Sequence, residues 1–305
     1  MKYCECFHKR IGCSSAQEVF AYFMDTLKDS IKSWDYFVNW VKVFGNVKKI
    51  EMDLNLLNYL IGKENIEEEF LNLVREYPLV KKLIPILVAY RENQFEILTD
   101  WQKGTFHYKS FALDEDTNPQ EALEFAKSTG FLDLLKTKQI KSVVDYVIGV
   151  EVGLDTNGRK NRGGALMEKI VKSFLEQICS GRGLSYLSQA NAISIQQQWG
   201  LRLPVDRTER TVDFAVKKQN QLFLIETNFY GGGGSKLKAT AGEYKALFDF
   251  WKKHNCGFIW ITDGKGWATT GRPLEETFAY IDYTLNLDMV AKGLLEDLMV
   301  HTCPK

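Results

Sequence analysis

Residues 211–229 constrain this chain more than any other stretch. Thr211-Val212-Asp213-Phe214-Ala215-Val216 and Leu222-Phe223-Leu224-Ile225-Glu226-Thr227-Asn228 are compact apolar runs separated by the polar residues 217–221, the pattern of a β-hairpin. With the turn centred on Gln219-Asn220, residue 218 opposes 221 and Asp213 falls opposite Glu226. Directly opposed strand residues hold their Cβ atoms only about 4.5–5.5 Å apart. Two carboxylates that close repel, and the flanking Phe214, Val216, Leu224 and Ile225 point to burial, where an unpaired charge is costly. A hard divalent cation relieves the repulsion. Magnesium takes oxygen ligands, is satisfied by one or two carboxylates, and completes its shell with water and phosphate. Asn228, two residues beyond Glu226, points to the same face. The expectation is a metal site on Asp213 and Glu226 suited to phosphodiester hydrolysis; the alternative is a solvated edge hairpin.

The rest of the chain divides by pattern. Up to residue 140 the apolar side chains recur at three- and four-residue intervals in 15–33, 48–60, 66–76 and 121–135, which predicts helices. The polar stretch 99–119 reads as a short hairpin followed by a loop. Beyond residue 140, Gly-rich loops alternate with strands at 211–216, 222–229 and 257–262 and with helices from about 165 to 178 and 238 to 252. This predicts an α/β fold: a helical N-terminal region over 1–140, then a core over 141–305 with a central sheet flanked by helices.

Lys+Arg and Asp+Glu each number 39 in 305 residues, so any nucleic-acid contact must come from a local patch, and a passive coating protein with a broad basic field is disfavoured. No stretch approaches the roughly 18 apolar residues that span a bilayer, and the start has no signal-peptide core, which predicts a cytoplasmic protein. Cysteines at 4, 6, 13, 179, 256 and 303 form no disulfide framework and are expected as thiols. Cys4, Cys6, His8 and Cys13 match no standard zinc spacing.

Two further segments carry candidate contacts. Gly231-Gly232-Gly233-Gly234-Ser235-Lys236-Leu237-Lys238 leads into a helix, but Ser precedes the lysine where a nucleotide-binding P-loop needs it to follow. Backbone amides of such a turn can still meet a DNA phosphate, with Ser235, Lys236 and Lys238 nearby; a plain flexible linker is the other reading. Gly153-Leu154-Asp155-Thr156-Asn157-Gly158-Arg159-Lys160-Asn161-Arg162-Gly163-Gly164 reads as a projecting loop whose Asn157, Arg159, Lys160, Asn161 and Arg162 suit phosphates and purine edges. Glu168 on the following helix either joins the metal site through a water or caps the helix's first turn.

These segments, with Ile225-Glu226-Thr227-Asn228-Phe229-Tyr230 and Trp260-Ile261-Thr262-Asp263-Gly264-Lys265-Gly266-Trp267, resemble the DpnII/MboI type II restriction endonucleases, most strongly over residues 141–270. The resemblance implies a restriction-endonuclease-like mixed sheet of the PD-(D/E)xK superfamily and a homodimer acting on double-stranded DNA at the palindrome GATC. It also implies Mg²⁺ as cofactor and a cognate adenine methyltransferase that protects the host. Asp213 and Glu226 match the metal-binding acids, and Asn228 stands where the superfamily places its lysine. Water activation then falls to the metal, to Asn228 as an orienting group, or to Lys236 reaching in from the glycine run. A structure- or damage-directed nuclease and a DNA-binding module without activity are the alternatives.

Overall fold

The β-branched and aromatic runs do pair as the hairpin they spell. β4 (Thr211–Lys218) and β5 (Gln221–Phe229) are antiparallel with Phe214 opposite Ile225 and Lys218 opposite Gln221. Gln219 turns the corner at φ 54°, in the left-handed region that two-residue hairpin turns use. The computed structural model describes residues 1–100, 105–205 and 209–300, and of Lys160, Ser235 and Lys236 only the backbone. His301 and Cys303 lie outside the described residues.

From its start the chain forms α1 (Glu5–Ile11), α2 (Ala16–Asp25), α3 (Trp40–Lys48), α4 (Glu51–Asn58) and α5 (Ile66–Glu76). The antiparallel pair β1 (Gln94–Asp100) and β2 (His107–Ala112) follows, then α6 (Pro119–Ser128), α7 (Phe131–Lys136) and α8 (Val143–Asp155). After α9 (Arg159–Arg182) come β3 (Ser185–Asn191), α10 (Ala192–Trp199), the β4–β5 hairpin, α11 (Ser235–Lys253) and β6 (Gly257–Asp263). The chain closes with α12 (Gly271–Tyr280), β7 (Tyr283–Leu285), α13 (Leu287–Ala291) and α14 (Leu294–Val300). Strands β3 to β7 lie in chain order in one mixed sheet, antiparallel up to β5 and parallel from β5 to β7. This is the mixed α/β architecture expected, with a largely helical N-terminal half.

Packing does not divide the chain at residue 140. One compact unit is 1–33 with 160–305, the other 34–159. The reason is where the apolar faces go: Phe7, Val19 and Phe23 are fully buried in the same cluster as Trp251, Trp260 and Phe278, whereas Val143 and Val147 of α8 join Leu54, Leu57 and Phe70. Polar anchoring agrees. Asp263, without exposed surface, accepts hydrogen bonds from the amides of Lys28 (2.7 Å), Gly264 (2.6 Å) and Leu287 (2.9 Å), tying three distant segments together. Cys4 and Cys6 are disulfide-linked, so the thiol expectation holds for Cys13, Cys179 and Cys256 among the described residues.

The expected loop at 153–164 is instead the junction of two helices. A single 3-10 turn, Thr156–Gly158, separates α8 from α9, and α9 starts at Arg159. The Asn157-Gly158 turn signal within a polar run predicts a loop, yet a 24-residue helix with an apolar stripe takes up residues 159–164. Asp155 does not project: it is buried, accepts from the Asn39 amide at 2.9 Å and lies 3.6 Å from the Lys42 ammonium.

The turn after β6 packs backbone to backbone on the end of β5. Tyr230 donates its amide to the Asp263 carbonyl (2.9 Å), and the Gly266 amide donates to the Tyr230 carbonyl (2.8 Å). A Cβ at Gly264, where φ is 105°, would stand 2.3 Å from the Tyr230 carbonyl oxygen. The glycine run is therefore pinned at its start rather than a free linker. Gly264→Ala should cost about 1–3 kcal/mol through the strained φ and the contact together. A thermal unfolding midpoint equal to the parent's would contradict that close approach.

Candidate active site

Continuing the β4–β5 register by one residue sets Asp213 across from Glu226. The ladder gives way there because the Asp213 carboxylate itself takes the Thr227 amide at 2.7 Å and the Thr227 hydroxyl at 2.8 Å. Glu226 is only 8% exposed, and burial, then the negative charge of Asp213, push its carboxyl up to about 8. Burial raises Asp213 as well, against the opposing hydrogen bonds from Thr227 and Gln189. Glu168, on the first half of α9, is the third acid: burial and the Asp213 charge raise it, while a hydrogen bond from Gln189 Nε2 (2.7 Å) lowers it. Three carboxyl groups thus share one electrostatic environment. Arg210, just before β4, is the cation whose charge opposes the rise at Glu226.

Gln189 had no signal in the sequence. In the β3–β4 register, Ser188 opposes Phe214 and Ala190 opposes Val212, which places Gln189 across from Asp213. Its φ of 49° is unusual for a strand residue, and strain of this kind costs about 1–3 kcal/mol. The distortion lets its amide reach acids on both β4 and α9. β3 itself escaped the sequence reading because Ser185-Tyr186-Leu187-Ser188-Gln189-Ala190-Asn191 has no β-branched residue; pairing to β4 decides its conformation.

Tyr244 on α11 joins the other two expected side chains. Its hydroxyl lies 3.5 Å from Glu226 Oε2 and accepts from Asn228 Nδ2 at 3.2 Å, so Asn228 does share the Glu226 face. The Asn228 carbonyl oxygen accepts from the Thr262 hydroxyl, which in turn accepts from Trp267 Nε1 at 2.8 Å. Asn228 is thereby held at both ends of its amide. Burial raises the Tyr244 hydroxyl pKa far above its ordinary value, so it stays protonated.

The donor set fits a hard divalent cation. Two carboxyl groups converge at the end of β4 and β5, each destabilised as an anion by burial, and each would regain its charge beside a cation. Among the described residues no group of three or more His, Cys, Asp or Glu is placed to hold a metal ion, so the fit rests on the carboxylate pair.

The expected DNA-contacting residues fall on two helix starts. Asn157 lies in the 3-10 turn, and Arg159, Lys160, Asn161 and Arg162 occupy the first turn of α9, which has no acidic residue. Asn157 and Asn161 are exposed; Arg159 is half-buried and donates Nε to the Phe37 carbonyl at 3.2 Å. Ser235, Lys236 and Lys238 open α11, with Lys238 exposed and the side chains of Lys160, Ser235 and Lys236 outside those described.

Residues 19–297 match the family described as DpnII restriction endonuclease. The chain is 50% identical over 288 residues to the type II restriction enzyme MjaIII of Methanocaldococcus jannaschii, covering 92% of this chain and 99% of that enzyme. It is 37% identical over 283 residues to the type II restriction enzyme DpnII of Streptococcus pneumoniae (90% and 96%). Against the type II restriction enzyme MboI of Moraxella bovis it is 33% identical over 277 residues (90% and 94%). No solved structure matches the chain.

The raised carboxyl at Glu226 has a consequence for stability without metal. The folded group keeps its proton up to about 8 while the unfolded one releases it near 4.5, so the native state binds the extra proton across that window and stability falls as pH rises through it. In chelator, the melting temperature of the wild type should drop more between pH 5 and pH 9 than that of Glu226→Gln (conditions at roughly the two ends of the window). Parallel curves would show that Glu226 ionises normally.

Proposed function

Because the chain belongs to the DpnII restriction endonuclease family and is thereby a type II site-specific deoxyribonuclease, we propose that it cuts duplex DNA at unmethylated GATC with Mg²⁺ held by Asp213 and Glu226. What carries this reading is the opposed pair itself: buried Glu226 across from half-buried Asp213 on adjacent strands, with Glu168 within electrostatic reach of Asp213. A module that only binds DNA has no need of such a costly arrangement. When bound, the ion polarises the scissile phosphate and lowers the pKa of the attacking water.

The chain's own groups supply positioning. Thr227 fixes the Asp213 carboxylate by two hydrogen bonds, and Tyr244 with Thr262 holds Asn228 beside Glu226. Glu168, oriented by Gln189, is suited to accept a hydrogen bond from a water on the metal side of Asp213. The superfamily lysine is replaced either by Asn228, whose amide retains one donor hydrogen, or by Lys236 at the head of α11.

Phosphate binding falls to the head of α9. Arg159, Lys160 and Arg162 at the start of α9, whose first turn holds no acidic residue, are the basic residues assigned to the DNA backbone. A palindromic target calls for a two-fold homodimer, and protection of host DNA for a cognate adenine methyltransferase. No described helix is long and apolar enough to cross a membrane, and the substrate places the enzyme's work in the cytoplasm.

The test is direct. With Mg²⁺, one plasmid prepared with and without adenine methylation at GATC should be cut only in the unmethylated form, with fragment ends mapping to GATC. Glu226→Ala should keep the parent's affinity for DNA and lose cleavage by at least about a hundredfold. A variant that cuts at the parent's rate refutes the metal assignment.

A further inference from the structure

The sheet end that carries the acids also mounts a helix whose solvent face has had no role so far. Asn191, the last residue of β3, pairs with Thr211, the first of β4, two residues from Asp213. At roughly 3.3 Å per strand residue, α10 therefore begins about 7 Å along the sheet from Asp213. Its mounting is firm. Asn191 and Ser194 form a reciprocal capping box (Ser194 amide to Asn191 Oδ1, 2.9 Å), Ile195 is fully buried beneath it, and Gly200 closes it at φ 66°.

What this rigid helix presents outward is uncharged and hydrogen-bonding. Ile193, 68% exposed, lies one helical turn from the exposed Gln196 and Gln197, so the three share a face. They line a groove of about 1140 Å³ together with the exposed Arg202 and with Leu203, Pro204, Phe250 and His254. α10 has no acidic side chain in its first turn and no basic one in its last, and Ile193 stands in solvent beside the two glutamines. The same side chains match the edges of bases in a major groove: a Gln carboxamide pairs with adenine N6 and N7, an Arg guanidinium with guanine O6 and N7, and an aliphatic group with the thymine methyl.

We propose that α10 is the base-reading element of this enzyme, with Gln196 or Gln197 on adenine, Arg202 on guanine and Ile193 against the thymine methyl group. This rests on the duplex-DNA reading above and goes beyond it by naming the side chains that choose the sequence. It also places methyl discrimination in one contact. A methyl group on adenine N6 fills the space the glutamine carbonyl oxygen takes, so the modified base is refused without any separate sensor. Because β3 carries both Gln189 at the acids and, two residues later, the cap of α10, correct seating of the bases bears on the placement of Glu168 and Asp213.

The experiment pairs protein variants with base analogues in short GATC duplexes. 2-Aminopurine replaces the adenine and lacks its N6 group; 7-deazaguanine replaces the guanine and lacks N7. Single-turnover cleavage and affinity for a duplex without the site are measured for the wild type, Gln196→Ala, Gln197→Ala, Arg202→Ala and the control Gln198→Ala, which lies off the groove face. The wild type should lose about ten- to hundredfold in cleavage with 2-aminopurine. Gln196→Ala or Gln197→Ala should show that loss on normal DNA and no further loss on the analogue, and Arg202→Ala should do the same for 7-deazaguanine. Gln198→Ala should behave as the wild type, and all variants should keep their affinity for the duplex without the site, which a misfolded protein would not. Full analogue penalties in every variant overturn the assignment of α10 while leaving the nuclease intact. A wild type that leaves GATC duplexes uncut overturns the target itself.

Discussion

The burial of Glu226 opposite the half-buried Asp213 carboxylate is the constraint around which this end of the sheet is arranged. Asp213 and Glu226 occupy opposed positions, and burial, then the charge of Asp213, drives Glu226 toward its neutral form. The surrounding polar groups are arranged around that tension. Thr227 gives Asp213 two donors, Gln189 ties Glu168 toward the same point, and Tyr244 stands between Glu226 and Asn228. Each partner sits on a different element, so β3, β5, α9 and α11 have to meet at one end of the sheet for the acids to be tolerated at all.

The hairpin was legible because local rules suffice for it. Compact apolar strand composition and a polar two-residue turn fix the register, and the structure follows it residue for residue from Phe214 to Lys218. Helix α5 was readable for the same reason: its apolar side chains recur with helical period and an acidic first turn marks its start. Of the candidate site, the two acids, Asn228 and Glu168 were legible as neighbours from the sequence.

What escaped required long-range information. Gln189 acquires its meaning only through pairing with β4, and Tyr244 only through the packing of α11 over the sheet. The start of α9 follows the Asn157-Gly158 turn signal of a loop, although the apolar stripe from Met167 to Leu175 holds it in a helix. The boundary near residue 140 marked a real change in composition, yet the first helices are stapled to the far end of the chain by Asp263 and by Asn286, whose amide donates to the Phe23 carbonyl at 2.9 Å. No periodicity reports a contact between residues 263 positions apart.

That staple sets an order of events during synthesis. Lys28 waits for a carboxylate 235 residues downstream. At a ribosomal pace of about 5–20 residues per second, the first two helices emerge roughly 12–47 s before their partner exists. The intervening residues 34–159 hold a hydrophobic core of their own that is complete in sequence by then, whereas the unit that bears the acids closes last. A nascent chain therefore carries folded helices well before it carries a finished blade.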